Sequence, residues 1–393
     1  MRPIRGGAPA VPDPSSGADS PERWRQVRGF LHQHRHELCQ LAARLYPDVP
    51  RVASTALLCR GRWLPDQPLN LDDLRLGWAG QPPAPLADGT GPASAHVRPR
   101  LAAGGRHRGY ADAIAALDAP ALFGNRACYR LLDAGLAGSP ELTFGRGWYF
   151  DGVNLGHAVA HELAAAWQDS SGAIALADLP LRALVGDPCL LRQRCAISAV
   201  TTLTLRRPPR GQATFVLHWR DPVKVNNGGG LYQVMPVGIF QPVAGTPAAE
   251  KNDLSLWRCM TREFSEEFLG TTEDYDTQDG LLDYGGWPFY RRLTSAREAG
   301  ALSVWCLGVG VDPLTLATDI LTVAVFDSDL YDAVFDGLVE LNAEGRVVSV
   351  DGSAAIPFTA ATVGRFSGGS EPTQAAGAAL LRLAWQHQGL LLG

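Results

Sequence analysis

The chain has 393 residues, of which 46% are apolar and 19% charged, and its formal net charge is −5. That length allows two or three domains around a large core, and the balance excludes global disorder and any dominant polyanion-binding surface. No run of about 18 apolar residues occurs, so no membrane span is expected, and the 7 cysteines, scattered without a C-x-x-C pair, exclude a disulfide framework and a Cys-based zinc site. Free thiols fit a reducing, cytoplasmic setting.

In chain order, residues 1–20 carry arginines but no apolar h-region and read as a disordered tail. Ser20-Pro21-Glu22 reads as a helix start, with Ser as cap and Pro in the first turn. Trp24, Leu31, Leu38 and Leu45 then recur every seven residues and predict one long amphipathic helix ending before Pro47. His32, His34 and His36 form an H-x-H-x-H run in which only His32 and His36 share a helical face, the pattern of a solvated polar face. Residues 21–80 make an N-terminal helical segment. The Pro-, Ala- and Gly-rich stretch 81–105 reads as a linker.

Residues 106–190 are expected to be helical, including a turn or helix over 127–132 and a helix over 156–167. The latter holds His157 and His161 at i and i+4, with Glu162 after the second histidine, so it is not H-E-x-x-H and defaults to core or surface histidines. From Ser198 the period changes to that of strands: 198–205, 213–219 and 231–234, with a glycine-rich hairpin loop at 226–230. No phosphate-cradling glycine motif appears. Later come strands at 302–309, 320–326 and 346–350 and helices at 330–341, 359–366 and 374–387.

Between these lies Arg262-Glu263-Phe264-Ser265-Glu266-Glu267-Phe268-Leu269-Gly270. At helical spacing Trp257, Met260, Phe264 and Phe268 fall in one stripe roughly 80° wide. Glu263, Glu266 and Glu267 share another face, where carboxylates repel one another unless a hard cation stands between them. Asp253 is the expected N-cap, Gly270 the expected stop, and Arg262 stands four residues from Glu266, close enough to hold it. A Glu-rich helix face is equally the signature of a solvated surface.

This nonapeptide resembles the core of the Nudix box, R-E-(apolar)-x-E-E followed by Gly. Around it, Trp219-Arg220, the Pro236/Gly238/Phe240 turn and the closing helix after Pro357-Phe358-Thr359 make the region from about 195 to 370 similar to a divergent Nudix domain, bounded here as 191–393 with an insertion at 271–300. The resemblance implies an α/β (α+β) fold with a mixed sheet between helices. It also implies Mg²⁺ (or Mn²⁺) on Glu263, Glu266 and Glu267, with Arg262 orienting them, and cleavage of a diphosphate bond in a nucleoside-diphosphate-type substrate. Leu254 stands where the family has a glutamate, with Asp253 and Glu250 the nearest acids, and the closing Gly comes one residue late.

The chain from Tyr110 also resembles actinobacterial-type proteins often labelled transcriptional regulators, on Leu217-His218-Trp219-Arg220-Asp221-Pro222, Gly238-Ile239-Phe240-Gln241-Pro242 and Ser255-Leu256-Trp257-Arg258. Residues 22–80 hold no helix-turn-helix, so nucleic acid is not an expected partner. Two functions follow: a Mg²⁺-dependent hydrolase, favoured by the intact E-x-x-E-E, and a non-catalytic nucleotide-binding sensor or regulator, favoured by Leu254 and the long insertion. Residues 1–190 carry no chemistry of their own and leave open a lid, a homodimer arm or a partner surface.

Overall fold

The computed structural model describes residues 20–120, 123–170, 173–220, 230–272, 277–278, 280–336, 345–347 and 355–393. The N-terminal tail, nearly all of the hairpin loop, Glu273, Asp274, Asp276 and Asp279 of the insertion, and the end of the helix expected over 330–341 lie outside these residues.

The first helix runs as two, α1 (Pro21–Gln33) and α2 (Arg35–Arg44). Ser20 caps α1 as expected, accepting from the Arg23 amide. His34 interrupts the helix at φ −114° and ψ 27°, its ring packed on Phe30 and Trp167. The heptad stripe nevertheless continues across the break, since Trp24, Val27, Leu31 and Leu38 are all buried. Next come β1 (Leu69–Asn70), β2 (Arg75–Trp78) and α3 (Tyr110–Leu117).

The stretch expected to be helical over 106–190 contains a hairpin, β3 (Ala127–Gly135) and β4 (Glu141–Trp148), before α4 (Tyr149–Asp169) and α5 (Pro180–Val185). Cys128, Tyr129 and Leu131 are all buried, and a buried strand reads as a continuous apolar run that periodicity cannot tell from a helix. Residues 81–105, expected as a linker, are packed: Ala87 donates to the Gln193 carbonyl at 2.8 Å, and Ser94, Val97 and Arg98 are buried.

The second half begins with β5 (Ser198–Arg207), β6 (Thr214–Phe215), β7 (Leu217–Arg220), β8 (Tyr232–Val234) and β9 (Val237–Ile239). Then follow α6 (Pro247–Asp253), α7 (Leu256–Leu269), β10 (Thr277–Gln278), β11 (Leu281–Leu282), α8 (Pro288–Glu298), β12 (Leu302–Val311) and β13 (Thr318–Asp327). The chain closes with α9 (Ser328–Val334), β14 (Gly345–Val347), β15 (Ile356–Pro357), α10 (Ala360–Ser367), α11 (Ala375–Gln386) and α12 (Gln388–Leu392). The single strand expected over 213–219 is divided between two sheets: β6 pairs with β5, and β7 pairs with β8 and β14.

Among the described residues the largest sheet runs β1-β12-β13-β5-β6-β15, and β9 joins β5 beside β6. The β5–β13 pair is parallel and the others are antiparallel, so the fold is mixed α/β. Both side-chain parities of β5 and β13 are buried, as a sheet covered on both faces requires. Helix α7 packs on β5 and β9, and α11 on β5, β12 and β13. Among the described residues no helix is long and apolar enough to cross a membrane.

One core position is a carboxylic acid. Asp319 on β13 accepts from Thr201 Oγ1 at 2.7 Å, and burial, with Asp312 nearby, raises its pKa to about 7. The folded chain therefore keeps this proton up to about pH 7, while the unfolded chain releases it near the ordinary carboxylate value. The group stabilises the fold in acid, and that contribution is lost as pH rises through 7. Asp319→Asn, which keeps the acceptor without the charge, should melt higher than wild type near pH 8, by about 1–3 kcal/mol. The difference should shrink towards about pH 4 in thermal melts.

Candidate functional site

Helix α7 is built as its sequence implies. Trp257, Met260, Phe264 and Phe268 are all buried, and the Phe264 and Phe268 rings pack on Phe335, 5.8 and 4.6 Å between centroids. Gly270 ends the helix in the left-handed region at φ 67°, where a residue without Cβ is favoured. The N-cap differs from expectation: Ser255 accepts from the Arg258 amide, two residues after Asp253. The intervening Leu254 leaves helical geometry at ψ 69° and separates α6 from α7.

Asp253, released from capping, has another task. It is wholly buried, accepts the Val243 amide at 2.7 Å and the Tyr284 hydroxyl at 3.0 Å, and lies 3.5 Å from Arg262 Nη1. Arg262, 4% exposed, also donates to Tyr284 Oη at 2.8 Å and to the Gln241 carbonyl at 2.5 Å. Its guanidinium is thus held by Asp253, Tyr284 and Gln241, where the i, i+4 spacing had pointed to Glu266. Burial alone would lower its pKa, but Tyr284, Cys259, Asp253 and Glu263 outweigh that and raise it. The other acid near the missing box glutamate, Glu250, pairs with Arg146 at 2.6 Å. Arg258 lies 4.6 Å over the Tyr284 ring and closes the network.

The glutamates turn towards β9. Glu267 is buried and its Oε1 accepts the Val237 amide at 2.8 Å. The Glu263 carboxylate occupies the space where a side chain on Gly238 would stand: a Cβ there would come within 1.8 Å of Cδ. Glu263 and Glu266 are half-buried. Thus two carboxylates one helical turn apart meet consecutive residues of one strand. Of the segment Pro236-x-Gly238, expected as a turn, Val237 and Gly238 belong to this strand, and Gly238 is its notch.

Among the described residues, no three His, Cys, Asp or Glu side chains gather into a metal-ligating group. Mg²⁺, however, retains several waters and is commonly held by one or two carboxylates together with substrate phosphates. The pair Glu263 and Glu267 at the β9 edge fits that donor requirement. The histidine pairs do not compete for it. His157 and His161 are buried, His161 Nδ1 lies 2.9 Å from Tyr110 Oη, and burial with Arg28 and Arg23 lowers its pKa to about 3. Glu162 accepts the amides of Leu181 and Arg182.

Sequence reasoning named Gly238 and Tyr284 but missed their roles, and it missed the partnership of Asp253 with Arg262. The available signals were a tyrosine inside a long polar insertion, a glycine within a strand, which marks close approach of another group, and an acid displaced by one position from the box spacing.

No family model matches the chain, and no curated protein matches it. Among solved structures, a Nudix hydrolase from Alicyclobacillus acidocaldarius is 17% identical, over 48% of this chain and 90% of that one, with a TM-score of 0.27. RenU, a Nudix hydrolase from M. smegmatis, is 13% identical over 50% of this chain and 88% of that one, with a TM-score of 0.23.

Proposed function

We propose that the second half of the chain is a divergent Nudix-like domain that hydrolyses a diphosphate bond in a nucleoside-diphosphate-type substrate with Mg²⁺ or Mn²⁺. The observation that carries this reading is the seating of two box glutamates on one strand, Glu263 in the Gly238 notch and Glu267 on the Val237 amide. The box-like sequence around them supports it. Glu263 and Glu267 would hold the cation, Glu266 is the remaining box carboxylate beside them, and Arg262 is a positioning residue that ties their helix to Asp253 and Tyr284. When bound, such a cation offsets charge on the phosphate oxygens and lowers the pKa of a water. The chain's part is to fix two carboxylates against a strand so that little reorganisation accompanies binding. One of the three glutamates, or another acid near them, takes the proton from the attacking water.

Purified protein should turn over at least one member of a panel of nucleoside diphosphate sugars, dinucleotides and nucleoside triphosphates. EDTA should abolish that turnover and Mg²⁺ or Mn²⁺ restore it. The double variant Glu266→Gln, Glu267→Gln should lose about 10²-fold or more in kcat. Equal, negligible turnover in wild type and variant would sink the hydrolase reading.

A second reading has its own observation. Glu267 is buried with one oxygen committed to an amide, which suits a structural acceptor in a non-catalytic nucleotide-binding sensor. Saturable binding of a panel member without turnover, insensitive to EDTA, would favour that module.

A further inference from the structure

The β3–β4 hairpin lies in the first half of the chain, yet its side chains reach the supports of Arg262. Tyr129 on β3 is wholly buried. Its amide donates to the Phe240 carbonyl at 2.9 Å, and its hydroxyl donates to the Glu250 carbonyl at 2.7 Å. On β4, Arg146 Nη2 donates to Glu250 Oε2 and its Nε faces Oε1, each at 2.6 Å. We propose that Tyr129 and Arg146 are positioning residues of the glutamate site, which set where Glu263 and Glu267 stand by fixing β9 and α6 from behind. This inference rests on the reading of α7 as a cation site.

Two routes lead from the hairpin to the glutamates. The first runs along β9. Phe240 follows the Gly238 notch by two residues and is wholly buried, its ring centroid 4.4 Å from that of Tyr129 and 5.1 Å from that of Phe144 on β4. The Tyr129 amide therefore pins the end of the strand that receives Glu263 at Gly238 and Glu267 at the Val237 amide. The next residue, Gln241, supplies the carbonyl to which Arg262 donates. The second route runs through α6, where Glu250 stands one turn before Asp253, the acid beside Arg262. Both supports of the guanidinium are thus backed by the hairpin, and Glu263 follows Arg262 directly in the chain.

The contacts themselves are those of a fixed support. A guanidinium that meets both oxygens of a carboxylate specifies geometry as well as charge, and Glu250 is buried. Burial, with Asp253 adding to it, pushes the Tyr129 phenol above its ordinary pKa, so the hydroxyl stays a neutral donor at any working pH. Groups that orient metal ligands typically carry about 10- to 100-fold in metal affinity. Tyr129 and Arg146 stand one step further back, so about three- to tenfold is expected of them.

The test uses the full chain, with Mn²⁺ binding followed by electron paramagnetic resonance and amide hydrogen exchange followed by mass spectrometry. Tyr129→Phe keeps the ring and loses one hydrogen bond, and the double variant Arg146→Met, Glu250→Leu removes the ion pair without stranding a buried charge. Both should melt within a few degrees of wild type and bind Mn²⁺ about three- to tenfold more weakly. Exchange should quicken over residues 236–241 and stay unchanged in β12 and β13. Arg146→Lys, which keeps one charged contact with Glu250, should fall between wild type and the double variant. If the double variant does not fold, Tyr129→Phe and Arg146→Lys carry the same readouts. Unchanged exchange over 236–241 would overturn the proposal, as would variants that bind Mn²⁺ as tightly as wild type. So would a general rise in exchange with a lower melting temperature, the mark of a purely structural tie. Tighter Mn²⁺ binding in Arg146→Lys would overturn it too, by showing that the arginine holds Glu250 away from the cation. Wild type that binds no Mn²⁺ would instead defeat the cation reading of α7, and the exchange over 236–241 would then decide alone whether the hairpin sets the strand.

Discussion

Arg262→Ala should cost about 3–5 kcal/mol of folding free energy, as much as truncating a buried aromatic side chain of α7. The reason is what the substitution leaves behind. Asp253 is fully buried beside Arg262, and removing the guanidinium strands its carboxylate in a dry site with the Tyr284 hydroxyl, the Asn252 side-chain amide and the Val243 backbone amide as neutral partners. The Gln241 carbonyl and Tyr284 Oη each lose a donor as well. Tyr284→Phe, by contrast, keeps the ion pair and removes one hydroxyl, so about 1–2 kcal/mol is expected. Urea unfolding of Arg262→Met, Asp253→Leu and the double variant Arg262→Met, Asp253→Leu checks the coupling. The double variant should be less damaging than the sum of its single changes, because it leaves no buried charge unpaired. Additive losses would mean that Arg262 and Asp253 act separately.

That network also marks where the sequence stopped being legible. The helix itself could be read: the apolar stripe from Trp257 to Phe268 is buried and Gly270 ends it, because both follow from local periodicity and backbone preference. The strands at 198–205, 302–309 and 320–326 were equally local in origin and appear in β5, β12 and β13. The partner of Arg262 could not be read the same way. An i, i+4 glutamate competes with any acid the chain brings back, and α6 delivers Asp253 from the preceding helix while the insertion delivers Tyr284. The β3–β4 hairpin was missed because a strand buried along its length has no alternation to betray it. The break at His34 was missed because Phe30 and Trp167, not a Gly or Pro, accompany it.

Gly238→Ala separates site geometry from stability most sharply. The added Cβ would stand 1.8 Å from Glu263 Cδ and 1.9 and 2.2 Å from its oxygens, so the carboxylate must leave the notch. Those atoms are the far end of a flexible side chain on a half-buried position, and Glu263 can swing away without moving the β9 backbone. The stability loss should accordingly be modest, about 1 kcal/mol, at the low end for overpacking. The functional loss should be large, since displacing a liganding group by about 1 Å can cost 10²-fold. In the hydrolase reading, Gly238→Ala should retain its melting profile while Mn²⁺ binding, followed by electron paramagnetic resonance, and diphosphate turnover fall together towards the level of Glu263→Gln. Turnover preserved at the wild-type rate would mean that Glu263 fills the notch for packing alone. The cation would then rest on Glu266, Glu267 and an acid beyond the helix. The Val237 amide discriminates further, because Glu267 keeps that hydrogen bond whichever way Glu263 turns. A loss confined to Gly238→Ala therefore belongs to Glu263, and one shared by every change along β9 belongs to the strand.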